Sequence, residues 1–402
     1  MNWIFNARIS LKSIAVLSLN RISTLVAGNP GRYFIFDPRG WLEPDAETQR
    51  RLVYYLGGGE SVSIFWKSKS GWTLWRVAGE RVTEKRSCSA AQAIVAGLFS
   101  RVIIAKASRA SLLLQRLFAF KFFVVDWKTP GYRDSAWRWL AVTANIDLSL
   151  IQNRWRDWAS TSDDVVIMGT GPSATLVFEE PYRSMPVITC NTSLKSERLR
   201  KHRIAAFCIA DALFFLAPTP YGMRFQEMLR SALAEQRFPI VINAEFYSFC
   251  RRRMPFIPEE LLFPVVLNGH LRPNVDFANS PMAPHGSSVF PTLMFPLAIG
   301  SFKRIHLIGF DGKDPNMKNY YWKHSDEFQY QDELPTVKEH DPGSYGNREA
   351  DYYDKYNATY SAEIDALISV ARQRGCEINM VHPSFVPALK RIYEAQLALA
   401  GV

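Results

Sequence analysis

The chain has no Cys-x-x-Cys pair. Its cysteines, Cys88, Cys190, Cys208, Cys250 and Cys376, are odd in number and scattered. That argues against a zinc knuckle and against a dense disulfide framework, and it fits a reducing compartment. Long uninterrupted apolar runs are also lacking. Arg8, Lys12 and Arg21 break the apolar N-terminal stretch, so a spanning helix is not expected there, and no small-residue cleavage site follows a clean apolar core. Internal repeats and low-complexity tracts are absent. What is present is 48% hydrophobic and 13% aromatic residues, a balance that excludes a disordered chain.

A length of 402 residues points to two domains. Charge divides the same way. Residues 1–160 carry 23 Lys and Arg against 11 Asp and Glu, whereas 161–402 carry 25 against 27. The whole excess of +10 therefore lies in the N-terminal part. A basic domain rich in Trp and Phe suits an anionic membrane face, and equally a solvated basic surface. No nucleic-acid reader motif accompanies the charge, so nucleic acid is not an expected partner. The expected division is a basic domain over 1–160 and a second domain over 161–402, with Trp155 to Asp164 as the linker.

Strand and helix signals alternate along the chain. In the first part, Arg32 to Asp37, Ser61 to Trp66, Trp72 to Val77, Arg101 to Ala105 and Phe122 to Asp126 read as strands, with helices over Ala90 to Phe99 and Ser108 to Phe120. In the second, strands are expected at Val165 to Met168, Val187 to Cys190, Ala205 to Ile209, Pro239 to Asn243, Phe263 to Leu267, Arg304 to Ile308 and Glu377 to Val381. Helices are expected at Leu293 to Ile299 and Ala362 to Arg374. This alternation predicts an α/β fold: a Rossmann-like, doubly wound parallel sheet in the C-terminal half and a smaller basic α/β domain before it. Ligands of such sheets bind at the carboxyl ends of the strands.

Five stretches lie at or near those ends. Gly169-Thr170-Gly171-Pro172-Ser173 closes the first buried strand. Glycines let a backbone approach a ligand closely, and free N–H groups there hold phosphate or ribose oxygens. The third glycine of a dinucleotide fingerprint and the lysine of a P-loop are both missing, and an ordinary strand-to-helix turn fits the same residues. Asn191 ends the next strand and offers both donor and acceptor, or serves as a helix cap. His285-Gly286-Ser287-Ser288 precedes an apolar helix, and Gly309-Phe310-Asp311 ends a later strand. Capping and turn chemistry explain these as well. Finally, Lys313 to Asp351 holds Tyr320, Tyr321, Trp322, His324, Tyr330, His340 and Tyr345 with little periodicity, as a functional lid or an aromatic surface loop does.

In order and spacing over about 160–390, these pieces resemble glycosyltransferase family 42, the bacterial sialyltransferases that use CMP-sialic acid. The matching residues are Gly169 to Ser173, Cys190-Asn191, Ser287-Ser288, Gly309-Phe310-Asp311 and His382-Pro383-Ser384. The first 160 residues lie outside the likeness. The resemblance implies a GT-A-like variant of the Rossmann-like sheet and inverting transfer of sialic acid, another nonulosonic acid or Kdo to a surface glycan or glycolipid. No carboxylate pair stands out as a metal clamp, Asp311 and Asp314 being only a minor candidate, so metal-independent chemistry is expected, with no cofactor beyond the CMP-sugar donor. Gly169, Thr170, Gly171, Pro172, Ser173, Asn191, Ser287, Ser288, Gly309 and Asp311 would face that donor, and Tyr320 and Tyr321 its leaving phosphate.

The family's general base is a His just before the helix placed here at Ala362. Counting back reaches Tyr356 to Ala358, where no His stands, so His340 is the first candidate and His324 the second. The enzyme is expected in the cytoplasm, peripheral on the inner face of a bacterial inner membrane through its basic domain. A second resemblance is to motility-associated and archaeal pterin pyrophosphokinase-like proteins, which share the Gly-x-Gly-Pro-Ser start. It implies ATP and Mg²⁺ instead. A non-catalytic membrane-surface or nucleic-acid binding module is the third reading.

Overall fold

The computed structural model describes residues 32–36, 62–68, 71–78, 81–92, 101–104, 122–124, 148–158, 162–210, 219–267, 272–312, 326–335 and 352–401. The chain forms two compact units. One comprises Met1–Ile146 with Glu245–Met254, the other Asp147–Ala244 with Pro255–Val402.

In the first unit, β1 (Arg32–Phe36), β2 (Val62–Ser68), β3 (Gly71–Ala78), β4 (Arg81–Ser87), β5 (Arg101–Ile104) and β6 (Phe122–Val124) make one sheet in the order β4-β3-β2-β1-β5-β6. The sheet is mixed. β1 pairs in parallel with β2 and β5, and β5 with β6, while β2, β3 and β4 run as an antiparallel meander. β4 was not expected. Its sequence, RVTEKRS, alternates weakly and is mostly charged, as suits an edge strand. The helices expected over Ala90 to Phe99 and Ser108 to Phe120 lie largely outside the described residues.

The second unit opens with α1 (Leu148–Asp157). This corrects the expected linker. Trp155 is 3% exposed and packs edge-on against Phe263, with ring centroids 4.8 Å apart. Arg154 Nη1 donates to the carbonyls of Glu259 at 2.7 Å and Leu262 at 3.1 Å. A stretch with two Trp among charges reads as a linker only until the rings find a core.

Eight strands follow: β7 (Asp164–Met168), β8 (Val187–Cys190), β9 (Ile204–Ile209), β10 (Ile240–Asn243), β11 (Leu262–Leu267), β12 (Met282–Ala283), β13 (Arg304–Ile308) and β14 (Glu377–Met380). Their order is β12-β11-β10-β9-β8-β7-β13-β14, and all seven pairings are parallel. The unit is an α/β fold with a Rossmann-like sheet. Val165, Val166, Ile167 and Met168 of the central β7 are fully buried. A continuous apolar run is what a strand covered on both faces requires, and each such side chain contributes roughly 1.5–3 kcal/mol. The chain winds outward from β7 to β12, then returns to place β13 on the other flank of β7. Strand order therefore reverses between β7 and β13.

Among the described residues, the unit's longer helices are α2 (Pro220–Glu235), α3 (Phe295–Ser301), α4 (Tyr352–Gln373) and α5 (Pro387–Ala400). A π-turn over Phe290–Met294 leads into α3. Pro296 has no N–H to give, and the Phe295 N–H bonds instead to the Phe290 carbonyl, which widens the turn. That widening stacks Phe290 on Phe295 at 5.0 Å and sets it 4.2 Å from Phe310. α4 begins ten residues before the expected Ala362. Among the described residues, no helix is long and apolar enough to cross a membrane.

Candidate functional site

The sheet register gathers most of the expected residues at one edge. Met168 pairs with Thr189 and with Ile308, and Leu307 pairs with Met380. Counting on from those pairs, Asn191 stands level with Thr170, Gly169 with Gly309, and Gly309 with His382. The loops after β8, β7, β13 and β14 thus start side by side at the carboxyl ends, spanning the reversal of strand order.

Three of these loops are fused. The Gly169 N–H donates to the Ile308 carbonyl at 2.8 Å, and the Gly171 N–H to the Gly309 carbonyl at 3.0 Å. A Cβ on Gly169 would stand 2.4 Å from the Gly309 carbonyl oxygen, and one on Gly171 2.1 Å from Asp311 Oδ2. Gly309 has φ +77°. The glycines are needed because backbone meets backbone here. Asp311 accepts from the Ser173 N–H at 3.2 Å and from the Ser173 hydroxyl at 2.9 Å, so its carboxylate caps the turn that begins at Pro172. The Gly309 N–H is shared between Ser173 Oγ at 3.2 Å and His382 Nε2 at 3.0 Å.

A backbone N–H can only donate, so His382 Nε2 accepts. The ring proton therefore sits on Nδ1, 2.8 Å from the Pro383 carbonyl. His382 is 5% exposed and bridges two backbone groups. The β14 loop is tied down further by Ser384 Oγ donating to the Phe310 carbonyl at 2.7 Å and by the Phe385 N–H donating to the Asp311 carbonyl at 2.6 Å.

This alters the anion-cradle expectation. The N–H groups of Gly169, Gly171 and Ser173 bind the protein's own carbonyls and the Asp311 carboxylate, and Pro172 has none. The Ser287 N–H is engaged likewise. It donates to Glu363 Oε2 at 3.0 Å, and the Ser287 hydroxyl to the same oxygen at 2.5 Å. Glu363 lies on α4, so an internal carboxylate takes the Ser287 groups that were expected to face the donor. Thr292 Oγ1 donates to the Ser288 carbonyl at 2.6 Å, closing the turn. The Asn191 side chain and the Ser288 hydroxyl are only partly buried, and neither has a hydrogen-bond partner among the described residues.

Asn191 has φ +55°. The turn behind it is buried and polar. Thr189 Oγ1 lies 2.8 Å from Ser193 Oγ and 3.2 Å from the Met168 carbonyl. Thr192 Oγ1 lies 2.7 Å from the Phe328 carbonyl and 3.0 Å from Gln329 Oε1. Residues 326–335, in the middle of the expected lid, are clasped onto this turn and onto α2. Phe328 is fully buried. Lys195 Nζ donates to the Gln329 carbonyl at 2.9 Å and also to that of Asp326. Arg224 pairs with Asp332 and Glu333 and lies over the Tyr330 ring at 4.1 Å. Desolvation, then the nearby Arg224, lowers the Lys195 pKa. Burial raises that of Tyr330.

His340, His324, Tyr320 and Tyr321 lie outside the described residues. The early start of α4 puts Tyr356 to Ala358 inside that helix, so the residues just before it belong to the stretch that carries His340. Among the described residues, no group of three or more His, Cys, Asp or Glu side chains is placed to hold a metal ion. Sequence reasoning did not single out Glu363 or Gln329, and His382 was noted only as part of a turn. No local pattern marks a Glu or Gln that acts across more than 70 residues. Comparison of the chain with protein-family models, with curated proteins and with solved structures gave no match.

Proposed function

We propose that the chain is an inverting glycosyltransferase that moves an acidic sugar (sialic acid, another nonulosonic acid or Kdo) from a CMP donor to a glycan or glycolipid acceptor. The observation that carries this reading is the alignment of Asn191, Thr170, Gly309 and His382 along the carboxyl edge of a parallel sheet where strand order reverses. Nucleotides bind there in sheets of this kind. The resemblance of the ordered motifs supplies the choice of CMP-sugar.

In this reading the sugar–phosphate bond breaks early and CMP departs with the bonding pair. The transition state has oxocarbenium character. Tyr320 and Tyr321 donate to the phosphate as its charge grows. His340, or His324 in its place, takes the proton from the attacking acceptor hydroxyl. Asn191 and Ser288, with polar groups unpaired among the described residues, contact the donor. Peripheral docking of the basic first unit on an anionic inner membrane belongs to the same proposal.

The test is CMP release from CMP-sialic acid and CMP-Kdo, in the presence of a lipooligosaccharide acceptor, with EDTA or with Mg²⁺. Acceptor-dependent release in EDTA supports the reading. Turnover of ATP with Mg²⁺, and none of either CMP-sugar, would replace it with pyrophosphoryl transfer.

A further inference from the structure

Asn191 is the one residue other than glycine with a positive φ among the described residues, at +55°. Left-handed backbone is unfavourable for a side chain, though least so for Asn, and it persists where the surroundings over-determine it. Here they do. Thr189, Thr192 and Ser193 are fully buried, and each hydroxyl is bonded. The Lys195 N–H closes the turn on the Thr192 carbonyl at 2.9 Å.

The Thr192 hydroxyl has one proton and two acceptors, the Phe328 carbonyl and Gln329 Oε1. Gln329 is 7% exposed. Its Oε1 also receives the Tyr221 hydroxyl at 3.0 Å and the Tyr330 N–H at 2.9 Å. That N–H can only donate, so it fixes which end of the amide faces Thr192. Tyr221 is almost fully buried, its hydroxyl also interacts with the Thr192 side chain, and toward Oε1 it is the donor because an amide oxygen can only accept. The hydroxyls of Thr189, Thr192, Ser193 and Tyr221 and the Gln329 Oε1 are thus all engaged within the protein, while the Asn191 side chain next to them has no partner among the described residues.

We propose that Thr192 and Gln329 are positioning residues. They hold Asn191 left-handed so that its amide faces a nucleotide at the carboxyl edge. The nucleotide part rests on the proposed function; the backbone part does not. The network also ties the segment 326–335 to the turn that presents Asn191, so displacing that segment reaches the site through one amide.

The test compares Thr192→Val, which deletes the hydroxyl at constant shape, with Thr192→Ser, which restores it, and with Asn191→Ala and the Asn191→Ala/Thr192→Val double variant. Gln329→Met serves if Thr192→Val does not fold. CMP affinity is read by calorimetry and the Asn191 backbone by crystallography. The expected result is an affinity about tenfold weaker in Thr192→Val, recovery in Thr192→Ser, and no further loss when Thr192→Val is added to Asn191→Ala. The Asn191 φ should leave the positive region in Thr192→Val. Retention of φ in Thr192→Val, or losses that simply add in the double variant, would overturn the proposal. If the wild-type chain ignores CMP, the nucleotide reading fails, and the φ of Asn191 in Thr192→Val still decides the positioning claim.

Discussion

The Asp311 carboxylate takes both the N–H and the hydroxyl of Ser173, at 3.2 and 2.9 Å. Two adjacent strand ends are thereby closed by one side chain. Removing it leaves a part-buried N–H and hydroxyl without acceptors. Asp311→Ala is expected to lower unfolding free energy by about 1–3 kcal/mol. The midpoint of urea unfolding checks this, and Asp311→Asn should lose less because its amide oxygen still accepts.

Glycine substitutions separate steric cost from backbone cost. Gly309 has φ +77°, and its Cβ would stand 2.6 Å from the Gly169 carbonyl oxygen. Gly375 has φ +73° with nothing within 4 Å. Gly375→Ala is expected to cost about 1–2 kcal/mol, the left-handed penalty alone. Gly309→Ala adds a clash between backbones that cannot yield cheaply, and should cost about 3 kcal/mol or more. Equal costs by chemical denaturation would contradict the close packing of these loops.

The parallel sheet was legible because its strands are short apolar runs bounded by turn residues. Val187–Cys190 and Arg304–Ile308 fall where they were expected. Two long helices were not singled out, although their signals exist. Thr219 caps α2 through the Gly222 N–H at 3.0 Å, with Pro220 at the first position. α5 starts at Pro387 and ends on Gly401 with φ +75°. The glycines and Asp311 of the candidate site were legible as strand-end residues. Their occupation was not. That Asp311 would cap Ser173, or Glu363 hold Ser287, depends on which loops the sheet order places side by side, and local pattern carries no such information.

Acid should weaken the opposite edge of the sheet. The guanidinium of Arg304 binds Asp164 through two bonds of 2.6 Å. That bond, opposed by desolvation and helped by His306, holds the Asp164 carboxyl below its ordinary 3.8. A depressed carboxylate pKa stabilises the fold above the unfolded value, and the contribution fades as pH falls through the folded one. Because Arg304 is solvent-exposed, screening keeps the contribution small. The melting-temperature gap between wild type and Asp164→Asn should be full near neutral pH and close below about pH 4.

The buried thiols should be inert. Burial pushes the Cys190 and Cys250 pKa values up to about 12, and that of Cys208 well above the ordinary 9.0. Thiolate is the reactive form. Pulse alkylation read by mass spectrometry should label the partly exposed Cys88 and Cys376 first, and the three buried cysteines only on unfolding. Rapid labelling of Cys190 in the native protein would contradict its burial at the end of β8.

The central claim is that the carboxyl edge at β7 and β13 takes a CMP-linked donor. Thermal unfolding of the full chain with CMP, CDP, UDP, GDP and ATP, each with and without Mg²⁺, tests it most directly, since a ligand that binds only the native state raises its stability. The account predicts a rise with CMP that needs no metal and is smaller in Asn191→Ala. A rise only with ATP and Mg²⁺, or none with any nucleotide, would contradict it.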